Sequence, residues 1–278
     1  MDGLPCPVPK KVGIVFKKTR EATETAGVVG EYFRSHGREV LTDEPAIARD
    51  ADLVVVLGGD GTLLHAARLL AGRRAPILGV NMGSLGFMTE VPHGEIYPTL
   101  DLVLAGRATV SERLKLGVHV HRGSDRAPAL AAEVLNEVVI AKGALAPMAE
   151  LEVKAGGQYV TTYKADGVIV ATPTGSTAYA LASNGPIVYP TMEGVIIAPI
   201  CPHTLTQRPL VVPDDGDIEL LLVNDTEVFL TMDGRPGLPI SRGDRVQVKQ
   251  SPNRVLLVRN PKIDFFGILR TKLRWGER

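Results

Sequence analysis

Apolar and polar positions alternate in two different ways along the 278 residues. In the first hundred, short apolar runs are separated by longer stretches of helical composition. Lys11–Phe16 (KVGIVF), residues 53–57 (LVVVL) and residues 76–80 (PILGV) read as buried strands, and 38–42 as a further one. Residues 19–35 predict a helix, with a capping threonine, Thr19, at the start and Gly37 after the end. Residues 62–70 (TLLHAARLL) and 95–105 predict two more. Strands alternating with helices predict a parallel sheet with helices on its faces.

Beyond residue 107 the period changes. Strands are predicted at 116–121, 135–141, 150–153, 159–163, Gly167–Ala171, 194–198, 218–223, 227–231, 245–248 and 255–259. Turn signals at Gly156-Gly157, Asp215-Gly216, Asn224-Asp225 and 251–253 separate them. Many short strands with such punctuation predict a mainly antiparallel, sandwich-like β domain. One helical piece, 176–182, interrupts it. Residues 265–275 read as an amphipathic helix that packs back on the first domain. The expected organisation is an α/β domain over 1–107, completed by 260–278, and a β domain over 108–259. No internal repeat or low-complexity tract is present.

Composition narrows the classes. Lys+Arg and Asp+Glu both number 31, so the chain lacks the positive field of a general nucleic-acid binder. A 45% hydrophobic content with 22% charge describes an ordinary globule, not a disordered chain. No apolar run reaches the ~18–20 residues that span a bilayer. The N-terminal Met-Asp-Gly-Leu-Pro lacks the basic and apolar regions of a signal peptide. Cys6 and Cys201 form no C-x-x-C and read as reduced thiols. A cytoplasmic protein without membrane or nucleic-acid partners is expected.

Four segments carry chemistry. Gly58-Gly59-Asp60-Gly61-Thr62 lies between a strand and a helix. Its glycines permit close backbone approach and positive φ, and its amides with the helix N-terminus form a concavity for phosphate. Asp60 would repel phosphate, so it needs its own role: general base, magnesium contact, or plain N-cap of the helix. His65, on the first turns of that helix, is close enough to meet a phosphate. The pair Asn136-Glu137 sits inside an apolar strand, where unpartnered polar groups are costly. It either grips a polar ligand, suiting ribose hydroxyls or an adenine edge, or is solvated at a bulge. Lys164 and Asp166-Gly167 form the third segment. The fourth is Thr172-Pro-Thr-Gly-Ser-Thr-Ala-Tyr179, a hydroxyl-rich cradle before a short helix at Ser176.

Other candidates are weaker. His119 and His121 share a strand face without a third ligand. Asp233-Gly234 reads as a turn, with a contribution to the site as the alternative. The run from Asp214 to Asp217 is too short for a calcium loop. The chain has no G-x-x-x-x-G-K-[ST], no G-x-G-x-x-G and no H-R-D or D-F-G set, so it is neither a P-loop NTPase, a standard Rossmann dehydrogenase nor a protein kinase.

Gly58-Gly59-Asp60-Gly61-Thr62, Asn136-Glu137 and the string Thr172–Tyr179, in that order, resemble the NAD kinase family over nearly the whole chain. The resemblance implies phosphorylation of the adenosine ribose 2′-hydroxyl of NAD by ATP or polyphosphate with Mg²⁺, giving NADP. It places Asp60 at the proposed base. Gly61, Asn136, Glu137, Asp166, Thr177, Ala178, Tyr179, Leu181 and Ala182 fall on NAD-binding positions. Lys164 and His65 fall on positions that are often basic, near phosphates or cofactor. The family often has serine near Ala182, so one hydroxyl contact is absent here. It also implies a homodimer or homotetramer built through the β domains, with the NAD site near a subunit boundary. Direct metal ligands are not assigned. Diacylglycerol kinases share the glycine motif, so a lipid kinase is one alternative, and a non-catalytic dinucleotide sensor is another.

Overall fold

The structure is a computed structural model that describes residues 3–276. Met1-Asp2, part of the segment on which the absence of a signal peptide is expected, and residues 277–278 lie outside it. The chain divides into two compact units, Met1–Arg113 with Asn253–Arg278, and Leu114–Pro252. The crossing therefore falls beyond residue 107 on the way out and before residue 259 on the way back.

In the first unit the chain runs β1 (Leu4–Pro5), β2 (Lys11–Phe16), α1 (Arg20–Ser35), β3 (Glu39–Leu41), α2 (Glu44–Asp50), β4 (Leu53–Gly58), α3 (Asp60–Leu69), β5 (Ile77–Asn81), β6 (Val91–Pro92) and α4 (Ile96–Leu104). Parallel pairing gives the order β3-β2-β4-β5-β6. Strand order reverses between β2 and β4, and in such sheets ligands bind at the carboxyl ends beside the reversal. The glycine-rich segment follows β4 at that edge. β4 is apolar at every position and fully buried, as a strand covered on both faces must be. Thr19 caps α1, its hydroxyl accepting the Ala22 amide at 3.4 Å, and Gly37 takes a left-handed φ of +72° behind it.

The chain leaves through β7 (Thr109–His121). The second unit adds β8 (Leu130–Val134), β9 (Glu137–Lys142), β10 (Ala149–Ala155), β11 (Gln158–Ala165), β12 (Gly167–Ala171), a 3₁₀ turn Thr174–Thr177, α5 (Tyr179–Ala182), β13 (Val195–Ile200), β14 (Leu210–Val212), β15 (Ile218–Leu222), β16 (Val228–Met232) and β17 (Arg235–Ile240). β18 (Arg245–Val258) returns, and α6 (Phe265–Leu273) closes the first unit. One antiparallel sheet of the second unit contains β11-β10-β15-β18, with β7 and β8 alongside; the other is β14-β13-β12-β9-β16-β17. Their inner faces share a core in which Leu116, Leu151 and Leu220 meet Ile140, Val168 and Leu230. Alternate residues of the second sheet, Val139, Ile169 and Ile196, form another apolar cluster with Ala180 and Val188. The polar segment after β12 thus folds back over the outer face of its own sheet.

The structure departs from the sequence pattern at four places. The segment 251–253 is no turn: β18 runs straight through Pro252. The helix expected from 62 starts at Asp60. The piece 176–182 is a 3₁₀ turn followed by one short helical turn. Asn136 precedes β9 and Glu137 opens it, so the pair is not inside the strand. Unpredicted elements are short or masked by composition: α2 has seven residues with proline in its first turn, and β17 reads Arg-Pro-Gly-Leu-Pro-Ile. Among the described residues no helix is long and apolar enough to cross a membrane.

Candidate active site

In the first unit, Gly59 is the N-cap of α3 and no side chain caps that end. Asp60, the first helical residue, turns its carboxylate onto the segment after β5. Oδ2 accepts the Phe87 amide at 2.9 Å; Oδ1 accepts the Met88 and Thr89 amides and the Thr89 hydroxyl, each at 3.1 Å. The N-cap alternative for Asp60 is thereby removed. As the first two helical amides, those of Asp60 and Gly61 have no intrahelical carbonyl to meet. The glycines do not work as expected: none of Gly58, Gly59 and Gly61 has positive φ. Gly58 is required by packing, since a Cβ would lie 2.5 Å from Thr62 Oγ1. A Cβ on Gly59 or Gly61 would meet nothing within 4 Å, so the fold leaves open space there. His65 is engaged elsewhere, its Nε2 2.8 Å from Glu44 Oε1 on α2.

The partner segment 86–89 escaped the sequence reading. Its signal is the Asn-x-Gly after β5: Asn81 Oδ1 accepts the Gly83 amide at 2.6 Å, and Nδ2 donates to the Ser84 carbonyl. Asn81 is buried and starts the turn that brings Gly86 against Asp60.

In the second unit, Asp233 organises the Asn136-Glu137 pair. It occupies the hairpin turn between β16 and β17 with φ +47°. Its carboxylate accepts the Leu135, Asn136 and Glu137 amides at 3.0, 2.8 and 3.3 Å, and its own amide donates to the Glu137 carbonyl. Asp233 is therefore both turn residue and scaffold of the candidate site. On the other side, Thr172 Oγ1 donates to the Leu135 carbonyl at 2.6 Å and accepts the Gly175 amide at 3.0 Å. Gly175 lies so close that a Cβ would sit 2.2 Å from the Asn136 carbonyl oxygen.

Most hydroxyls of Thr172–Tyr179 serve the fold. Ser176 bonds both backbone groups of Val188, and Thr177 Oγ1 donates to the Thr174 carbonyl. What remains is a set of buried oxygens without a protein partner: Asn136 Oδ1, Glu137 Oε2 and Thr174 Oγ1. Burial, reinforced by the Asp233 charge and opposed by the Tyr179 amide, pushes the Glu137 carboxyl up to about 7. Tyr179 and Ala182 are exposed and line a cavity of about 580 Å³ with Pro199, Gln207 and Arg208. Leu181 and Ala178 are half-buried.

Lys164 and Asp166 are not brought to this pair. Glu137 pairs with Ala171, while Gly167 pairs with Ala141 at the far end of the same two strands. Four strand steps of ~3.3 Å separate the ends. Lys164 meets Glu150 at 3.4 Å and Asp166 meets Lys142 at 3.8 Å. His119 and His121 do share a face of β7, and burial lowers the His119 pKa. Among the described residues no group of three His, Cys, Asp or Glu side chains could hold a metal ion. Both cysteines are free, and burial pushes the Cys6 thiol up to about 11, which leaves it unreactive.

Family models for the ATP-NAD kinase N-terminal domain and C-terminal domain match residues 16–108 and 135–260. The chain belongs to the NAD kinase family. It is 51% identical over 253 residues to the NAD kinase of Geobacter metallireducens, covering 90% of this chain and 88% of the relative. The NAD kinase of Syntrophotalea carbinolica is 45% identical, with 97% of this chain and 100% of the relative covered. Yeast NADH kinase complexed with NADH superposes with a TM-score of 0.85 at 25% identity, covering 99% of this chain and 89% of that one. An NAD kinase from Archaeoglobus fulgidus in complex with ATP shares the fold, with a TM-score of 0.78 at 24% identity over 94% and 99% of the chains. Kinase activity follows from family membership, and the lipid-kinase and sensor alternatives are not favoured.

Proposed function

We propose that the enzyme transfers a phosphoryl group from ATP to the adenosine ribose 2′-hydroxyl of NAD, giving NADP. The observation that carries this is the trio of buried, unpartnered oxygens on Asn136, Glu137 and Thr174. Asn136 Oδ1 only accepts, Glu137 Oε2 accepts when its carboxyl is ionised, and Thr174 Oγ1 accepts or donates, so together they suit a ligand rich in hydroxyl and amino donors, as ribose and adenine are. A diacylglycerol offers one hydroxyl and two acyl chains, which this trio does not suit.

The chain's own groups divide the work. The Asn136 and Glu137 side chains accept ribose hydroxyls, on a backbone that Asp233 and Thr172 hold in place. The helix-opening amides of Asp60 and Gly61, with the open space at Gly59 and Gly61, receive donor phosphate. Asp60 Oδ2, which accepts one amide where Oδ1 accepts three groups, takes the 2′-hydroxyl proton. With no group of three His, Cys, Asp or Glu side chains among the described residues to build a cage, the residues fit a divalent cation that arrives on donor phosphates. When bound, Mg²⁺ neutralises charge on the transferred group.

A homo-oligomer belongs to the same reading. The separation of Lys164 and Asp166 from Glu137 supports a dinucleotide site to which a second copy supplies those two side chains. The functional test is purified enzyme with NAD, Mg²⁺ and either ATP or polyphosphate, scored for NADP, beside a diacylglycerol control. NADP from ATP is expected; phosphorylated lipid with NAD untouched overturns the proposal.

A further inference from the structure

The carboxylate after Thr89 is also buried. Glu90 has a side chain only 11% exposed, and it faces Arg113, 6% exposed, with Arg113 Nη2 3.5 Å from Glu90 Oε1. The Asn260 backbone amide donates to the same carboxylate, and the Arg259 guanidinium lies close enough to stabilise its charge. Each anchor is held in turn. Arg113 Nε donates to Ser111 Oγ at 3.2 Å, the Arg259 amide donates to the Thr109 carbonyl at 2.9 Å, and Asn260 is 2% exposed. Glu90 is thus the point at which the segment 86–90 is tied to both the outgoing strand β7 and the two residues that follow the returning strand β18. Burial, with the nearby Asp60 charge adding to it, raises the Glu90 carboxyl above its ordinary value, and the Arg113 and Arg259 guanidiniums and the Asn260 amide offset part of that cost.

A buried carboxylate is costly unless paired and hydrogen-bonded, and an apolar residue would hold a simple core turn as well. Phe87, Met88 and Thr89 have a further duty, since their amides grip Asp60. We propose that Glu90 is a positioning residue for phosphoryl transfer: it anchors the three amides that orient Asp60, through Arg113 on one side and the Asn260 backbone on the other. The proposal rests on Asp60 being the proton acceptor. An error of about 1 Å at a reacting group can cost roughly a hundredfold in rate.

The test compares Glu90→Gln, Asp60→Asn and their combination in the full-length enzyme, with kcat, KM for NAD and ATP, and melting temperature. Glu90→Gln should lower kcat by about ten- to hundredfold while both KM values stay within about threefold, a split that lost stability alone does not produce. The combined variant should be no slower than Asp60→Asn, because both act through one group. A folded Glu90→Gln enzyme within twofold of wild-type kcat, or multiplying effects in the combination, overturns the proposal. Asp60→Asn at wild-type kcat overturns the base assignment itself and this proposal with it. Should Glu90→Gln alone fail to fold, Glu90→Gln with Arg113→Met removes both charges and restores a neutral interior. That variant should fold yet remain slow; recovery of kcat there assigns Glu90 to stability alone.

Discussion

Oδ1 of Asp60 accepts both the amide and the hydroxyl of Thr89, each at 3.1 Å. With the Met88 amide also on Oδ1, that oxygen has no lone pair left for substrate, and Oδ2 faces only the Phe87 amide. One carboxylate thus divides its duties: Oδ1 is filled by Met88 and Thr89, while Oδ2, with the Phe87 amide alone, keeps a lone pair for chemistry.

Asp60→Asn tests both duties at once. The amide nitrogen cannot accept, so whichever way it is turned it confronts an N–H donor, and it cannot take the 2′-hydroxyl proton. A positioned base contributes about 10²–10⁴-fold, and kcat at saturating NAD, ATP and Mg²⁺ should fall by at least that. The melting temperature should drop too, since a buried donor is left without an acceptor. A folded variant that keeps more than about a tenth of wild-type kcat returns Asp60 to a purely structural role.

Gly86→Ala approaches the same clamp from the other side. A Cβ there would stand 2.3 Å from Asp60 Oδ1 and 2.2 Å from Thr89 Oγ1, distances that no side chain tolerates. The expected result is a loss of kcat comparable with Glu90→Gln, with KM for NAD less affected. Gly61→Ala is the contrasting control for fold: its Cβ meets nothing, so the melting temperature should hold. A Gly86→Ala enzyme with normal kcat and stability would contradict the clamp.

The fold was largely legible because its two halves use different periods. β4 and β12 are buried at every position, and their apolar runs stand out wherever they occur. Thr19 with Gly37 marks both ends of α1 by cap chemistry alone. Legibility failed where one residue type serves two ends. Ser251-Pro252-Asn253 has turn composition but continues β18, and the hydroxyls of Thr172 and Ser176 resemble a ligand cradle while holding backbone. The site followed the same division. Asn136-Glu137 was visible as polarity beside an apolar strand. Its scaffold Asp233, and the segment 86–90 that grips Asp60, each meet their partners only through long-range hydrogen bonds that no local pattern encodes.

Asp233→Gly separates scaffold from turn. Asp233 has φ +47°, which glycine adopts without strain, so the hairpin keeps its backbone while three amides lose their acceptor. KM for NAD should rise at least tenfold, because Asn136 and Glu137 are no longer held. The relief at φ offsets part of the stability loss. Asp233→Gly with unchanged KM for NAD would assign the residue to the turn alone.

Glu137 should make both stability and NAD binding depend on pH. Its carboxyl titrates at about 7 in the folded chain, against an ordinary value of 4.5, because burial and the Asp233 charge oppose ionisation. Between these values the folded state binds the proton and the unfolded state does not, so stability falls as pH rises from about 4.5 to 7 and levels off above. The full cost of ionising the group amounts to about 3 kcal/mol. Glu137→Gln matches the protonated acid in shape and never ionises. Its melting temperature should therefore equal that of the wild type near pH 4 and exceed it near pH 8 by several degrees, roughly 6–12 °C. Catalysis should move the other way. Ribose hydroxyls donate to the ionised carboxylate, so wild-type KM for NAD should decrease between pH 6 and 8. In Glu137→Gln it should be higher, by roughly ten- to hundredfold at pH 8 for one charge-assisted hydrogen bond, and flat with pH. A stability difference that does not change between pH 4 and 8 would show that Glu137 is ionised in the free enzyme throughout. A wild-type KM without pH dependence would remove Glu137 from the NAD contacts.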